Sequence, residues 1–237
     1  MIKFKDAHIG YNLPLVNIDQ VILDSGNVYI LAGKNGVGKS TLLKTLTLQV
    51  PLKSGEVMIM DKSLQDLTPK DLSKYVAFVH SRFPDTHFIT VYEFVALGRT
   101  PYTNAFGRLT QEDRMAVEEA LKDLHIIHLK DKFVNQVSDG ERQLVSIARA
   151  FAQDTPIILL DEPTAYLDYQ NKKRVLKILT ENASRLNKCI LMSSHDLELS
   201  IDAGIPFVVI NATSKTITLH KAPVNKQRII DEAFSPQ

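Results

Sequence analysis

The run Gly33-Lys34-Asn35-Gly36-Val37-Gly38-Lys39-Ser40-Thr41 constrains this chain more than any other stretch. It fits the phosphate-binding pattern G-x-x-x-x-G-K-[ST] at every fixed position. The spacing has a physical reason: glycines let the backbone curl its N–H groups around phosphate oxygens, and the helix that follows adds its positive N-terminal end. Lys39 is then expected to reach the terminal phosphates as a point charge, with the Ser40 hydroxyl on Mg²⁺ and Thr41 closing the run. Such a loop is meaningful only between a strand and a helix. Val28-Tyr29-Ile30-Leu31-Ala32 reads as a buried strand, and Leu42, Leu43, Leu46 and Leu48 as the apolar face of a helix. An ordinary glycine-rich turn would not need either flank.

The chain has 237 residues, 44% hydrophobic and 23% charged, which suits one large α/β domain. Lys plus Arg number 28 and Asp plus Glu 27, a net charge of +1, so no global field draws it to nucleic acid or an anionic membrane. No apolar run approaches the roughly 20 residues of a membrane helix, and Met1-Ile2-Lys3-Phe4-Lys5-Asp6 lacks a signal-peptide core. The expectation is a soluble, cytosolic protein. The single cysteine, Cys189, lies in the apolar run Cys189-Ile190-Leu191-Met192 and is expected to be a buried small hydrophobe.

Residues 2–30 come in short alternating runs broken by Gly10, Asn12, Pro14, Asp24, Ser25 and Gly26, which predicts an antiparallel β-region leading into the loop strand. Tyr11 falls at one of these turns, where an aromatic ring can stack on a base or simply pack on the surface. Val57-Met58-Ile59-Met60 predicts a strand, Thr68-Pro69-Lys70-Asp71 a short capped helix, and Lys74 to Val79 another strand. From 82 to 155 the pattern turns helical. Thr110 opens a helix with Val117, Ala120, Leu121 and Leu124 on one face; Leu144, Ile147, Ala148 and Phe151 mark a second, and Thr90 to Arg99 a third. This segment reads as a helical subdomain inserted into a core lobe of about 1–81 and 156–220, with a polar tail over 221–237.

Sheet character resumes at Pro156-Ile157-Ile158-Leu159-Leu160, which ends in Asp161-Glu162. In an open α/β sheet ligands sit beyond the carboxyl ends of the strands, so both acids are expected to face the phosphate loop; a solvated acidic turn would explain one of them, not two. A long helix carrying Leu176, Leu179, Ala183 and Leu186 follows, then a strand from Cys189 to Met192 that ends in Ser193-Ser194-His195-Asp196. His195 is another strand-end candidate, with a structural histidine as the alternative. Phe207 to Ile210 and Thr216 to Leu219 predict the last strands.

The remaining motif is Val137-Ser138-Asp139-Gly140-Glu141-Arg142-Gln143, in which Ser138 and Glu141 read as a capping box. In order, Gly33 to Thr41, Ser138 to Gln143, Asp161-Glu162, Ala165-Tyr166-Leu167-Asp168 and His195 resemble the ATP-binding cassette ATPases across nearly the whole chain. The resemblance implies a P-loop NTPase (RecA-like) core with an N-terminal antiparallel β-region and an inserted helical subdomain. It implies ATP and Mg²⁺ as cofactors: the backbone from Gly33 to Thr41 and Lys39 on the phosphates, Ser40 and Asp161 on the metal, Glu162 polarising the attacking water, His195 at the γ-phosphate and Tyr11 against adenine. It also implies a head-to-tail pair, in which Ser138 and the Gly140 N–H touch the nucleotide held by a second copy and Asp168 lies at the seam.

Val95-Ala96-Leu97-Gly98-Arg99-Thr100-Pro101-Tyr102 looks like the helical segment of importer ATPases for iron–siderophores, haem and cobalamin. That resemblance implies integral membrane permease subunits as partners and a peripheral place on the inner face of the cell membrane, with no nucleic acid. Two positions depart from the family pattern. Asp139 puts a carboxylate where the family has glycine, and Ser81 stands where it has glutamine, so a water or His80 is left to fill that reach. The alternatives are a soluble cassette ATPase acting on nucleic acid or ribosomes, and a regulatory nucleotide-binding subunit that does not turn over.

Overall fold

In the computed structural model, which describes residues 1–84, 86, 88–104, 106–165 and 167–234, the chain is carried by two sheets. Strands β1 (Ile2–Gly10) and β2 (Pro14–Leu23) form an antiparallel hairpin in which Ile2 faces Leu23 and Ala7 faces Ile18. The chain then enters β3 (Val28–Ala32), passes the glycine loop into α1 (Lys39–Leu46), and returns to the first sheet through β4 (Ser54–Ile59) and β5 (Lys62–Ser63). That sheet has the order β2-β1-β4-β5. After α2 (Pro69–Leu72) comes β6 (Val76–Val79), then the helices α3 (Val91–Ala96), α4 (Gln111–Asp123) and α5 (Asp139–Ala152). The last part alternates β7 (Ile157–Leu160), α6 (Tyr169–Arg185), β8 (Cys189–Ser193), α7 (Leu197–Asp202), β9 (Phe207–Ile210), β10 (Ile217–His220) and α8 (Lys226–Phe234).

The second sheet has the order β10-β9-β3-β8-β7-β6. Every neighbouring pair is parallel except β9 with β10. All five residues of β3 are buried, and their alternation divides the core. Val28, Ile30 and Ala32 join the helices α3 to α6, while Tyr29 and Leu31 join α1 and the antiparallel sheet. This two-sided cover is why β3, β7 and β8 read as unbroken apolar runs. Each fully buried aliphatic side chain here adds about 1.5–3 kcal/mol.

Several boundaries differ from the sequence reading. The strand around Val57 stops at Ile59, because Met60 turns the chain at φ 48°. The strand expected from Lys74 begins at Val76, since the Lys74 and Tyr75 N–H groups close α2 on Asp71 and Leu72. The helix expected from Thr90 to Arg99 is α-helical only to Ala96 and tightens into a 3₁₀ segment over Leu97–Tyr102. There Gly98 lies so close to α5 that a Cβ would come within 2.2 Å of the Arg149 carbonyl oxygen.

The tail contains a helix that sequence reading missed. Residues 226–234 form α8, which buries Ile229 and Ala233, and Arg228 pairs with Glu232 on the same helix. The short α7 was missed as well. Tyr166, expected in the stretch from Ala165 to Asp168, and residues 235–237 of the tail lie outside the described residues. No helix among the described residues is long and apolar enough to cross a membrane.

Candidate nucleotide-binding site

The loop from Gly33 to Gly38 leaves the carboxyl end of β3 and runs directly into α1. Gly33 sits at φ 154°, where a Cβ would meet Val37 Cγ1 at 2.9 Å and the Ile210 carbonyl oxygen at 3.0 Å. Gly38 sits at φ 122°, and a Cβ there would press to 2.6 Å from Val16 Cγ2. Both positions therefore exclude any side chain, on conformational and steric grounds together. The Val16 contact also brings the β1–β2 hairpin, whose turn carries the exposed Tyr11, beside the loop.

Lys39 is 6% exposed and curls back over the loop, donating to the Gly33 carbonyl at 2.7 Å and the Lys34 carbonyl at 3.2 Å. Burial pulls its ammonium below the usual lysine range, against the opposing pull of Glu162 and then Asp161. Its charge thus lies at the mouth of the loop with carbonyls as stand-in partners. The exposed Asn35 and the half-buried Lys34, Val37 and Thr41 complete the walls.

Across the loop, the tips of β7 and β8 are joined by a chain of polar contacts. The Asp161 N–H donates to the Val79 carbonyl at 2.9 Å, which holds its carboxylate at the end of the sheet. Asp161 Oδ1 accepts from Ser193 Oγ at 2.8 Å and from Ser40 Oγ at 3.5 Å. Ser193 Oγ accepts in turn from the Glu162 N–H at 2.8 Å. Glu162 turns the chain at φ 48°, an unusual backbone for a residue with a side chain. Its Oε1 lies 3.1 Å from His195 Nε2.

Strained backbone of this kind persists where the surroundings hold it, and the Ser193 bridge does so here. Mg²⁺ needs few protein oxygens because phosphates and water fill its other positions. Ser40 and Asp161 match that demand, and no group of three His, Cys, Asp or Glu among the described residues offers an all-protein cage.

The residues around 138 stand apart from this cluster. Ser138 caps α5: its N–H and hydroxyl each donate to Glu141 Oε2 at 2.8 Å, and its Oγ accepts from the Glu141 N–H at 3.3 Å. The Ser138 N–H, and then its hydroxyl, hold the Glu141 carboxyl below its usual range. Gly140 faces Leu167 and Asn171 at the start of α6. Among the described residues no hydrogen bond joins Ser138 or Gly140 to the glycine loop. Asp139 does not present the bare charge expected from sequence, because Arg142 Nη1 lies 3.1 Å from its Oδ1. His80, the alternative to Ser81, turns the other way. It packs edge-on against Phe78 at 4.5 Å in a groove with Arg149, and burial, then the Arg149 charge, hold it toward the neutral form.

Residues 16–165 match the ABC transporter family. The chain belongs to that family. It is 35% identical over 237 residues to the achromobactin transport ATP-binding protein of Dickeya dadantii, covering 98% of this chain and 85% of that one. It is 35% identical over 190 residues to the iron(3+)-hydroxamate import ATP-binding protein of Bacillus subtilis, covering 80% of this chain and 71% of that one. Its fold matches a dimeric ATP-binding cassette in a post-hydrolysis state, bound to ADP and phosphate, with a TM-score of 0.76 at 25% identity, over 95% of this chain and all of that one.

Within this cassette, Ser193 is the site residue that sequence reading passed over. It lay in plain view beside His195, yet only the parallel pairing of β7 with β8 brings its hydroxyl between Asp161 and the Glu162 N–H. A hydroxyl at the end of the strand neighbouring the acidic one is the signal that would have found it.

Proposed function

We propose that this chain is the ATP-hydrolysing subunit of a membrane importer for iron–siderophore complexes or the related haem and cobalamin, working as a pair beneath permease subunits at the inner face of the membrane. The observation that carries the reading is the continuous contact path from Ser40 through Asp161, Ser193 and Glu162 to His195, opposite the Lys39 ammonium. The achromobactin transport and iron(3+)-hydroxamate import named for the two relatives support an iron-chelate cargo class.

In this reading the loop backbone and Lys39 hold phosphate oxygens, Lys39 exchanging its two carbonyl partners for them. Ser40 and Asp161 hold Mg²⁺, which when bound neutralises charge on the phosphates. Glu162 accepts a proton from the attacking water, and His195, hydrogen-bonded to it, keeps that carboxylate aimed. Tyr11 lies against the base. Ser138 and the Gly140 N–H, capped but unconnected to their own loop, serve the nucleotide of a second copy. The segment 82–155 moves as the subdomain that passes closure to the permease.

The experiment is ATP turnover by the purified chain with Mg²⁺, together with purification from detergent-solubilised membranes. Turnover and recovery of an integral membrane partner are the expected results. A chain that binds ATP but never hydrolyses it, even beside its partner, would instead be regulatory.

A further inference from the structure

Thr68, Thr90, Thr110, Ser138 and Asp168 each use their side chain to accept a backbone N–H of the helix they open, with ψ between 159° and 174°. Asp196 stands at the same position of α7 and does not: its ψ is 73° and its carboxylate caps nothing. Its Oδ1 instead accepts from Lys172 Nζ at 3.0 Å, across 24 positions of the chain. A cap is ordinarily worth at least as much to its helix as a partly exposed ion pair, so local folding does not explain the choice. Lys172 is itself well anchored. Its N–H donates to the Asp168 carbonyl at 2.9 Å, in the turn of α6 that Asp168 caps through the Asn171 N–H.

The pair bears on the turn that carries His195. The Asp196 N–H donates to Ser194 Oγ at 3.1 Å, the Asp196 carbonyl accepts from the buried Ser200 Oγ at 2.8 Å, and the Leu197 N–H donates to the His195 carbonyl at 3.1 Å. The imidazole is 42% exposed and meets a Glu162 carboxylate that is 35% exposed. Its aim is therefore set by the backbone beneath it more than by packing. We propose that Lys172 is a positioning residue for hydrolysis: its ammonium, held on the capped end of α6, draws Asp196 away from its own helix and so fixes the backbone from which His195 aims the Glu162 carboxylate. The inference rests on the reading of Glu162 as proton acceptor and His195 as its support.

The test is ATP turnover of Lys172→Met, which keeps the apolar stem and removes the charge, alone and in combination. The expected result is a loss in kcat of about fivefold, the order of a small misplacement of a catalytic group, with KM for ATP and the melting temperature nearly unchanged. Lys172→Asp alone should lose more, and Asp196→Lys added to it should recover most of that loss, because the pair is remade in the opposite sense. In a His195→Ala background, followed as a single turnover with enzyme in excess, Lys172→Met should cost less than about twofold more, since no ring remains to be aimed. Should Lys172→Met fail to fold, Asp196→Ala removes the same pair without removing a cap and is measured the same way. Wild-type kcat in the folded variant, no recovery in the reversed pair, or a further fivefold loss on top of His195→Ala would each overturn the proposal. A His195→Ala chain with wild-type kcat, in contrast, would bring down the reading of the site and this inference with it.

Discussion

At the strand tips, Ser40, Asp161, Ser193, Glu162 and His195 hold one another through contacts of 2.8 to 3.5 Å that join residues as far as 121 positions apart. At the start of α5, Ser138 and Asp139 instead satisfy themselves within three residues, on Glu141 and Arg142. The first region is assembled by the fold, from residues far apart in the chain. The second is a helix end with its cap made and its outward face unconnected to its own phosphate loop. Such an arrangement makes sense if the strand tips do chemistry on the nucleotide of their own chain while the helix end is offered to another copy.

The largest effect should come from breaking the strand-tip side at its proton acceptor. Glu162→Gln keeps the shape and one hydrogen bond to His195 but cannot take a proton from water, so turnover should fall by about 10²- to 10⁴-fold while ATP still binds. With Mg²⁺ and ATP the variant should accumulate as a dimer on size-exclusion chromatography. A monomer turning over at the wild-type rate would remove Glu162 from the chemistry and leave the two regions without their division of labour.

Lys39→Ala comes next. Lys39 bridges the Gly33 and Lys34 carbonyls, and its loss takes charge from ground and transition states alike, so ATP affinity and turnover should fall together. Isothermal titration with ATP and a turnover assay on the folded variant check both. Because the strand-tip contacts do not pass through Lys39, the melting temperature should move little; ATP binding at wild-type strength would sink the loop assignment.

The same contrast explains what was legible in the sequence. Capping boxes at Thr90, Thr110 and Ser138 close within three residues, and the glycine loop is one unbroken run, so all of them could be read locally. The Ser193 bridge depends on which strands are neighbours, and nothing in the order of residues 157–193 states that β7 lies beside β8. The α8 helix escaped for another reason. Only Ile229 and Ala233 are buried on it, and its charged pairs Lys226–Glu198 and His220–Glu232 reach to α7 and β10, so its sequence alone looks like a polar tail. Arg142 was visible three residues from Asp139, but the pair between them is a choice of rotamer.

Ser81→Ala tests the border between the regions. Direct metal coordination by so short a side chain is not expected, and loss of the hydroxyl should lower saturated turnover by less than about tenfold, or roughly 1.4 kcal/mol. Turnover across a Mg²⁺ titration is the measurement. A larger loss that excess Mg²⁺ rescues would make Ser81 a metal ligand and move β6 into the strand-tip group.

The smallest effect is expected at Asp139, on the side of the molecule offered outward. Its carboxylate is 78% exposed and stands 3.1 Å from the Arg142 guanidinium, so an incoming phosphate would meet a near-neutral pair rather than a lone negative charge. Removing the acid leaves Arg142 uncompensated, and an unpaired guanidinium favours phosphate. Asp139→Gly and Asp139→Asn should therefore both tighten ATP-driven dimerisation, but only about two- to fivefold, the order of one screened surface charge. Part of that gain is offset because an acid in the first turn also favours the helix dipole. Sedimentation of the dimer in a Glu162→Gln background, at low salt and at salt on the order of 0.5 M, separates the contributions, since screening removes the charge term within a few ångströms at the higher ionic strength. If Asn and Gly both leave low-salt dimerisation unchanged, the carboxylate does not look across the seam. If only Gly weakens it, what matters at 139 is the backbone of the first turn, and the comparison between the two regions becomes one of rigidity rather than charge.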